Sequence, residues 1–432
     1  MSYLVINGGK KLRGSITNQS AKNSALAIIC ACLMIKGKTV LEDVPQIEEI
    51  NRMIELLSSI GVKIQRKDHI VIIETGNKLQ IDKMDQKAAS LMRSGLLLWG
   101  ALANREKKYR LYKSGGCRLG ERTVRPHIYA LKELGVNIKS FNNYYEVEKT
   151  FLKGCDIIMY ESGDTATENV IMAAVLAKGK TIIKMASANY MVQDLCYFLN
   201  KAGAKIEGIG TTTLTIQGVT KLKTIKNYSI MPDPIVAMTF ISSAITTKST
   251  LIIKKCPLQF LELELLKLEK MGQCFKILKK YKSKNKQFIL GDIKIFPSKL
   301  KALPDKIYGR PFPGLNVDNL PLFIPILTQA KGRTLVHDWA YENRSVYYLE
   351  LQKLGANITL LDPHRVWVEG ETALQGNELV CPPALRAGAL VLIAMLAAKG
   401  KSILRNTYPI DRGYENLYEV LNNVGADIKI IE

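Results

Sequence analysis

A short amphipathic segment that closes on glycine recurs six times along the 432-residue chain, and this recurrence limits the fold more than any other feature. The copies are MIELLSSIGVKI, IYALKELGVNI, LCYFLNKAGAKI, LLKLEKMGQCFKI, YLELQKLGANI and LYEVLNNVGADI, with glycines at Gly61, Gly135, Gly203, Gly272, Gly355 and Gly425. Successive glycines lie 68 to 83 residues apart. In each copy apolar residues fall at helical spacing, glycine offers a left-handed C-cap, and an alternating strand follows. Apolar helices that lead directly into strands, such as VIMAAVLAKGKTIIKMA and LVLIAMLAAKGKSILRN, alternate with the first element. Each unit therefore reads helix–strand–helix–strand, an α/β pattern. Six units suggest two domains of three units each, joined near MPDP at 231–234, rather than a solenoid, because neither end of the chain carries a polar capping unit. The opening MSYLVINGG strand has no place in a count of three and is expected to pair with the last unit.

Composition narrows the function. Hydrophobic residues make up 47% of the chain, enough for buried cores. No apolar run reaches the roughly 18 residues of a spanning helix, and the N-terminus lacks a signal-peptide order, so a soluble cytoplasmic protein is expected. The eight cysteines form no CxxC, and with four histidines they offer neither a zinc spacing nor a disulfide framework. Most are expected to be buried as small hydrophobes. The net charge of +22 favours anionic partners, yet basic residues and aromatics are not interleaved as nucleic-acid binders require. The densest basic run, KKYKSKNK at 279–286, is expected to be a solvated loop. No metal, organic cofactor, nucleic acid, membrane or obligate protein partner is called for.

Polar and charged residues collect where the apolar helices begin: Lys22 and Asn23, Arg93, Thr165 and Thr167, Asp233, Asp318, and Arg386. A cation at a helix start opposes the macrodipole, so a basic residue there points to an anionic ligand. The strand-to-helix loops add KSGGCRLGERTVRPH at 113–127, HDWAYENRS at 337–345 and NTYPIDRGYE at 406–415. In the first, Cys117 follows Gly115 and Gly116 and stands near Arg118 and Arg122, a setting that stabilises thiolate. A site assembled from Lys22, Arg93, Arg122, Arg386 and Arg412 would grip a small, multiply charged anion, with Asp318 as base and Cys117 as acid. Group transfer from a phosphorylated carboxylate suits these parts. No nucleophile–histidine pair, Walker loop or dinucleotide fingerprint is visible.

At these residues the chain resembles the enolpyruvyl transferases, and among them the UDP-N-acetylglucosamine 1-carboxyvinyltransferases that open peptidoglycan synthesis. The motifs are AKNSAL, GGCRLGER, TATENVIMAA, NKAGAKIEGIGTTTLTIQGV and PIDRGYENL, and they span essentially the whole chain. The 5-enolpyruvylshikimate-3-phosphate synthases share the architecture but lack the loop cysteine. The resemblance implies a two-domain inside-out α/β barrel, each domain three pseudo-threefold repeats with helices within and sheets outside, and a cleft between them. It assigns 22–231 to the first domain and 1–21 with 232–432 to the second. The implied reaction moves enolpyruvyl from phosphoenolpyruvate to the 3-hydroxyl of UDP-N-acetylglucosamine and releases phosphate, by addition and then elimination. By motif position Lys22, Arg122 and Arg412 would hold phosphoenolpyruvate, Cys117 would protonate its methylene carbon, and Asp318 would take the hydroxyl proton. Asn23, Arg93, Arg344, Arg386 and Ala340 would bind substrate, and the Cys117 loop would close as a lid.

Departures from the family pattern cluster on the nucleotide-sugar side. Arg125 and Pro126 stand where the family carries an aspartate and a leucine, and Glu161 stands where it carries a basic residue. Asp164, Pro234 and Ala384 are further changes within otherwise matching motifs. A charge reversal at position 125 alters contacts to the acceptor by about 1–3 kcal/mol for each charge-assisted bond. A paralogue that enolpyruvylates another nucleotide or sugar phosphate in secondary metabolism is therefore the alternative reading.

Overall fold

The computed structural model describes residues 3–113 and 123–431, so Cys117 and Arg122 lie outside the described residues. Among these, the chain forms two compact units: one takes the residues up to Gln19 together with those from Pro232 onward, and the other runs from Ser20 to Met231. The secondary structure is mixed α/β, and each unit contains three sheets.

In the Pro232-onward unit three helices, Pro234–Thr246, Leu320–Leu327 and Leu385–Ala397, pack against one another. Every residue of the first two is buried. A helix apolar on all sides is stable in water only when it is enclosed. The strands supply the enclosure, with alternate residues buried as a half-exposed sheet requires. Thr250–Pro257, for example, pairs in parallel with Arg13–Thr17 and antiparallel with Ile289–Ile295. The opening strand Tyr3–Gly8 lies between Gly400–Arg405 and Ile428–Ile431, so the first residues complete the last repeat's sheet.

The Ser20–Met231 unit repeats the plan. The helices Lys22–Ala31, Leu98–Ala103 and Asp164–Ala174 are buried along nearly their whole length. Five of the six sheets among the described residues share one order, a parallel pair followed by two antiparallel strands. In this unit Tyr228–Ser229 with Gly37–Glu42, then Ile70–Thr75 and Lys63–Lys67, is one instance. The sixth, built from Lys108–Tyr112, Tyr144–Lys149 and Val136–Ser140, has no parallel strand among the described residues. All six repeat glycines adopt the left-handed conformation, with φ between 89° and 103°, so each helix-to-strand reversal depends on a residue without a Cβ.

Three local expectations change. The fifth amphipathic copy, Ser345–Leu354, is a 3-10 helix rather than an α-helix, and Arg93–Leu97 is likewise 3-10. The basic run at 279–286 is not a loop throughout. Its first half ends the strand Phe275–Lys282, which lies at a sheet edge where lysines deter further pairing. Of the cysteines, Cys30, Cys32, Cys196, Cys256 and Cys381 are buried, whereas Cys274 is exposed. No helix among the described residues is long and apolar enough to cross a membrane.

A close approach of two buried helices explains one glycine. Gly100 donates its N–H to Asn169 Oδ1 at 2.7 Å, and a Cβ at position 100 would stand 2.1 Å from the Asn169 carbonyl oxygen. Gly100→Ala is therefore expected to destabilise the protein by about 1–3 kcal/mol, read as a lower urea midpoint at unchanged slope. An unchanged midpoint would show that the two helices can move apart freely.

Candidate functional site

The central helices are buried along their sides, so only their ends are open to chemistry. In the Ser20–Met231 unit Lys22 is the first residue of its helix, preceded by Ala21, which provides no capping side chain. Its ammonium pairs with Glu49 at 2.9 Å, with the two side chains 13% and 9% exposed. Ser94 also donates to Glu49, at 3.4 Å. Within this unit a carboxylate therefore balances the cation that opposes the helix dipole. Glu49 carries no sequence signal of its own, because it lies on a different helix, Glu48–Ser59. Asn23 donates to the Tyr190 hydroxyl at 3.1 Å.

Arg93 opens the 3-10 segment Arg93–Leu97 and reaches the Thr123 carbonyl at 3.5 Å. Nearby, His127 is buried against the edge of Trp99. Asn169 Nδ2 donates to the Leu96 carbonyl at 2.9 Å and lies 3.0 Å from His127 Nδ1. That ring nitrogen must then accept, which leaves a neutral imidazole with its proton on Nε2. Burial, and after it the Arg93 charge, push the His127 pKa down to about 3. Asp164 opens the Asp164–Ala174 helix and accepts from Ser187 Oγ at 2.5 Å and Asn189 Nδ2 at 3.1 Å. Arg125 is exposed at the start of Arg125–Glu133.

The Pro232-onward unit gathers a tighter cluster. Asp318 lies in the turn before Leu320–Leu327, where its N–H donates to Asn316 Oδ1 at 2.9 Å. Buried Glu264 ties this turn down by accepting from Asn316 N at 3.2 Å and Asn319 Nδ2 at 2.8 Å. Arg344 Nη1 and the Tyr341 hydroxyl both stand 3.4 Å from Asp318 Oδ1, and Arg386 Nε is 3.9 Å from Oδ2. Arg344 is 1% exposed. Asp338 receives its Nε and Nη2 at 2.6 and 2.8 Å, and the Val317 carbonyl accepts from Nη2 at 2.6 Å. The Tyr348 hydroxyl donates to the same Asp338 carboxylate. Burial works against the guanidinium's charge, but Tyr348 and Asp338 outweigh it and hold Arg344 well above its ordinary pKa. Arg386, second in Leu385–Ala397, lies over the Tyr414 ring at 5.2 Å. Ala340 adjoins Tyr341 in the turn after strand Ala330–His337, and half-buried Arg412 follows the short helix Tyr408–Asp411.

The structure thus brings Asp318, Arg344 and Arg386 together in one unit, and gives Lys22 and Asn23 consecutive positions at one helix start in the other. Cys117 and Arg122 lie outside the described residues. Glu49, Tyr190 and Tyr348 carry no motif of their own, and Asp338 and Tyr414, though inside quoted loops, gain their roles only from the contacts they make to Arg344 and Arg386. Among the described residues no group of histidine, cysteine, aspartate and glutamate is arranged to hold a metal.

Residues 6–421 match the family described as EPSP synthase (3-phosphoshikimate 1-carboxyvinyltransferase). The chain belongs to that family. A UDP-N-acetylglucosamine 1-carboxyvinyltransferase of Borreliella burgdorferi is 35% identical over 433 residues, covering all of both chains. UDP-N-acetylglucosamine 1-carboxyvinyltransferase 2 of Caldanaerobacter subterraneus is 34% identical over 99% of both. Among solved structures, the enolpyruvyl transferase NikO of Streptomyces tendae superposes with a TM-score of 0.87 at 22% identity, over 100% of this chain and 99% of that one. EPSP synthase of Acinetobacter baumannii does so with 0.77 at 18%, over the whole of both. The two superpositions establish the shared fold, and the family match makes the protein an enolpyruvyl (carboxyvinyl) transferase-family enzyme.

The histidine in this constellation gives a direct check. The His127 ring is expected to stay neutral by nitrogen NMR down to about pH 4, and Arg93→Ala should raise its titration point by removing a cation. A ring that titrates near 6.5 in the native protein would contradict its burial and its bond to Asn169.

Proposed function

We propose that the protein transfers enolpyruvyl from phosphoenolpyruvate to the 3-hydroxyl of UDP-N-acetylglucosamine, with release of phosphate. The observation that carries the reading is the fixed Asp318 carboxylate between Arg344 and Arg386, in a chain that belongs to the enolpyruvyl transferase family along nearly its whole length. Curated relatives that act as UDP-N-acetylglucosamine 1-carboxyvinyltransferases support the acceptor.

In the proposed chemistry Lys22, Arg122 and Arg412 neutralise the phosphate and carboxylate of phosphoenolpyruvate. Cys117 delivers a proton to C3 of the enol, making a methyl group and electron deficiency at C2. The acceptor oxygen bonds to C2 while its proton passes to Asp318, and a tetrahedral phosphate ketal results. Loss of a C3 proton and cleavage of the C2–O bond to phosphate then restore the double bond. Cations fixed before the reaction stabilise the charge shifts without reorganising. Asn23 and Arg93 hold the acceptor, and Arg344, Arg386 and Ala340 line the remainder of the substrate site. The reaction needs no metal or organic cofactor, and the family chemistry suits a cytoplasmic enzyme.

Arg125 favours a second acceptor. It presents an exposed cation where the family pattern has a carboxylate, while Asp164, an acidic change in the nucleotide-side motifs, is already engaged by Ser187 and Asn189. A different nucleotide or sugar phosphate would meet that cation more favourably. Phosphate release measured with phosphoenolpyruvate and, in turn, UDP-N-acetylglucosamine, UMP, UDP-glucose and shikimate-3-phosphate separates the two readings. The first predicts turnover with UDP-N-acetylglucosamine above the rest, and turnover confined to another acceptor would replace it with the second. In the active pairing Cys117→Ser is expected to cut kcat by about 100-fold or more, because a hydroxyl is a much poorer acid than a thiol. Full activity in that variant would remove Cys117 from the acid role.

A further inference from the structure

The helix that begins at Lys22, like Glu48–Ser59 and Leu385–Ala397, has no capping side chain at its start. Ala21 occupies its N-cap and makes no side-chain cap, although the first turn carries two residues assigned above to substrates. The missing restraint comes from one face of a distant helix, Tyr190–Lys201. Tyr190 and Asp194 are four residues apart and so share that face. The Tyr190 hydroxyl accepts from Asn23 Nδ2. Asp194, fully buried, accepts from the Tyr228 hydroxyl at 2.6 Å through Oδ1 and from the Met231 N–H at 3.2 Å through Oδ2. The Met231 carbonyl in turn accepts from Ala21 N at 2.7 Å. The path from Asp194 to the helix start therefore runs through a single residue, Met231.

We infer that Asp194 is a positioning residue: it fixes the Tyr228–Met231 segment and, through Met231, sets where the first turn places Lys22 and Asn23. A fully buried carboxylate is costly, and an apolar residue of similar size would fill the space more cheaply. An aspartate accepts from a hydroxyl and a backbone N–H at once, and burial pushes its pKa up to about 7. Tyr228 completes the arrangement by also directing its hydroxyl to the Asp194 backbone carbonyl, at 3.1 Å. This inference rests on the reading of Lys22 and Asn23 as substrate-binding residues.

The test uses the full-length protein with two variants, Asp194→Asn, which keeps the shape, and Tyr228→Phe, which removes one donor. Steady-state phosphate release should show kcat/KM for phosphoenolpyruvate falling by about 10- to 100-fold in Asp194→Asn, chiefly through a higher KM, as expected for displaced binding groups. Tyr228→Phe should move the same way by less. Amide hydrogen exchange should quicken at residues 22–25 in both variants and stay unchanged across Leu385–Ala397. A loss of thermal stability with KM and first-turn exchange unaltered would overturn the inference and leave Asp194 as packing alone. If the native enzyme releases no phosphate from phosphoenolpyruvate, the enzymatic reading fails, and unaltered exchange in the variants would separately defeat the tether.

Discussion

A guanidinium taken out of water must have its charge and its N–H groups matched from within, and Arg344 is the point where this protein meets that demand. Asp338 supplies a two-pronged carboxylate, the Val317 carbonyl takes a further donor, and the Tyr341 ring lies beneath the cation at 4.2 Å. Removing one partner of such a pair strands the other charge, at a cost of about 3–5 kcal/mol. The loop from Asp338 to Arg344 therefore cannot shift without breaking several bonds at once. Asp318, at the open side of this cluster, inherits its orientation. Glu264 secures the other flank of the Asp318 turn through Asn316 and Asn319, so the carboxylate is fixed from two directions.

The fold explains why the polar machinery sits where it does. Helices such as Pro234–Thr246 and Leu320–Leu327 are buried on every side, and a buried flank has no room for an unpaired charge. Their ends, where backbone groups lack helical partners, are the places a polar residue is tolerated. Repetition of one helix–strand unit multiplies those ends, and each repeat can then carry a different residue there: Lys22 in one, Asp164 in another, Arg386 in a third. The scaffold is uniform and the chemistry is divided among its copies. Where a helix start lacks a local cap, as at Ala21, restraint arrives from elsewhere in the unit.

The six repeats, their glycine reversals and the opening strand left over from the repeat count were legible because hydrophobic period and left-handed glycine are local properties. The residues alone marked Cys117 as an acid and Arg122 as part of an anion grip, and the resemblance added the substrates on which they would act. What escaped reading were the partners. Glu49 and Lys22 are 27 residues apart, and Asn23 and Tyr190 are 167 apart, with no shared period to connect them. Asp338 was in view as part of HDWAYENRS, yet its two bonds to Arg344 depend on a tight turn that no propensity announces. The 3-10 form of Ser345–Leu354 was hidden for a related reason. Its first residue follows the anchored Arg344, and apolar spacing alone does not distinguish a 3-10 from an α-helix over ten residues. The basic run at 279–286 misled because lysine frequency is a poor guide at a sheet edge, where charge and strand coexist.

The proposed reaction is addition followed by elimination at the enol carbon pair, with a transient methyl group at C3. Turnover in deuterium oxide tests this most directly, with the vinyl protons of the enolpyruvyl product read by proton NMR. Protonation of C3 from an exchangeable acid and later loss of one of three hydrogens predict deuterium in the product's vinyl group. A product that keeps both original vinyl protons would show that C3 never became a methyl group, and the proposed sequence of steps would be wrong.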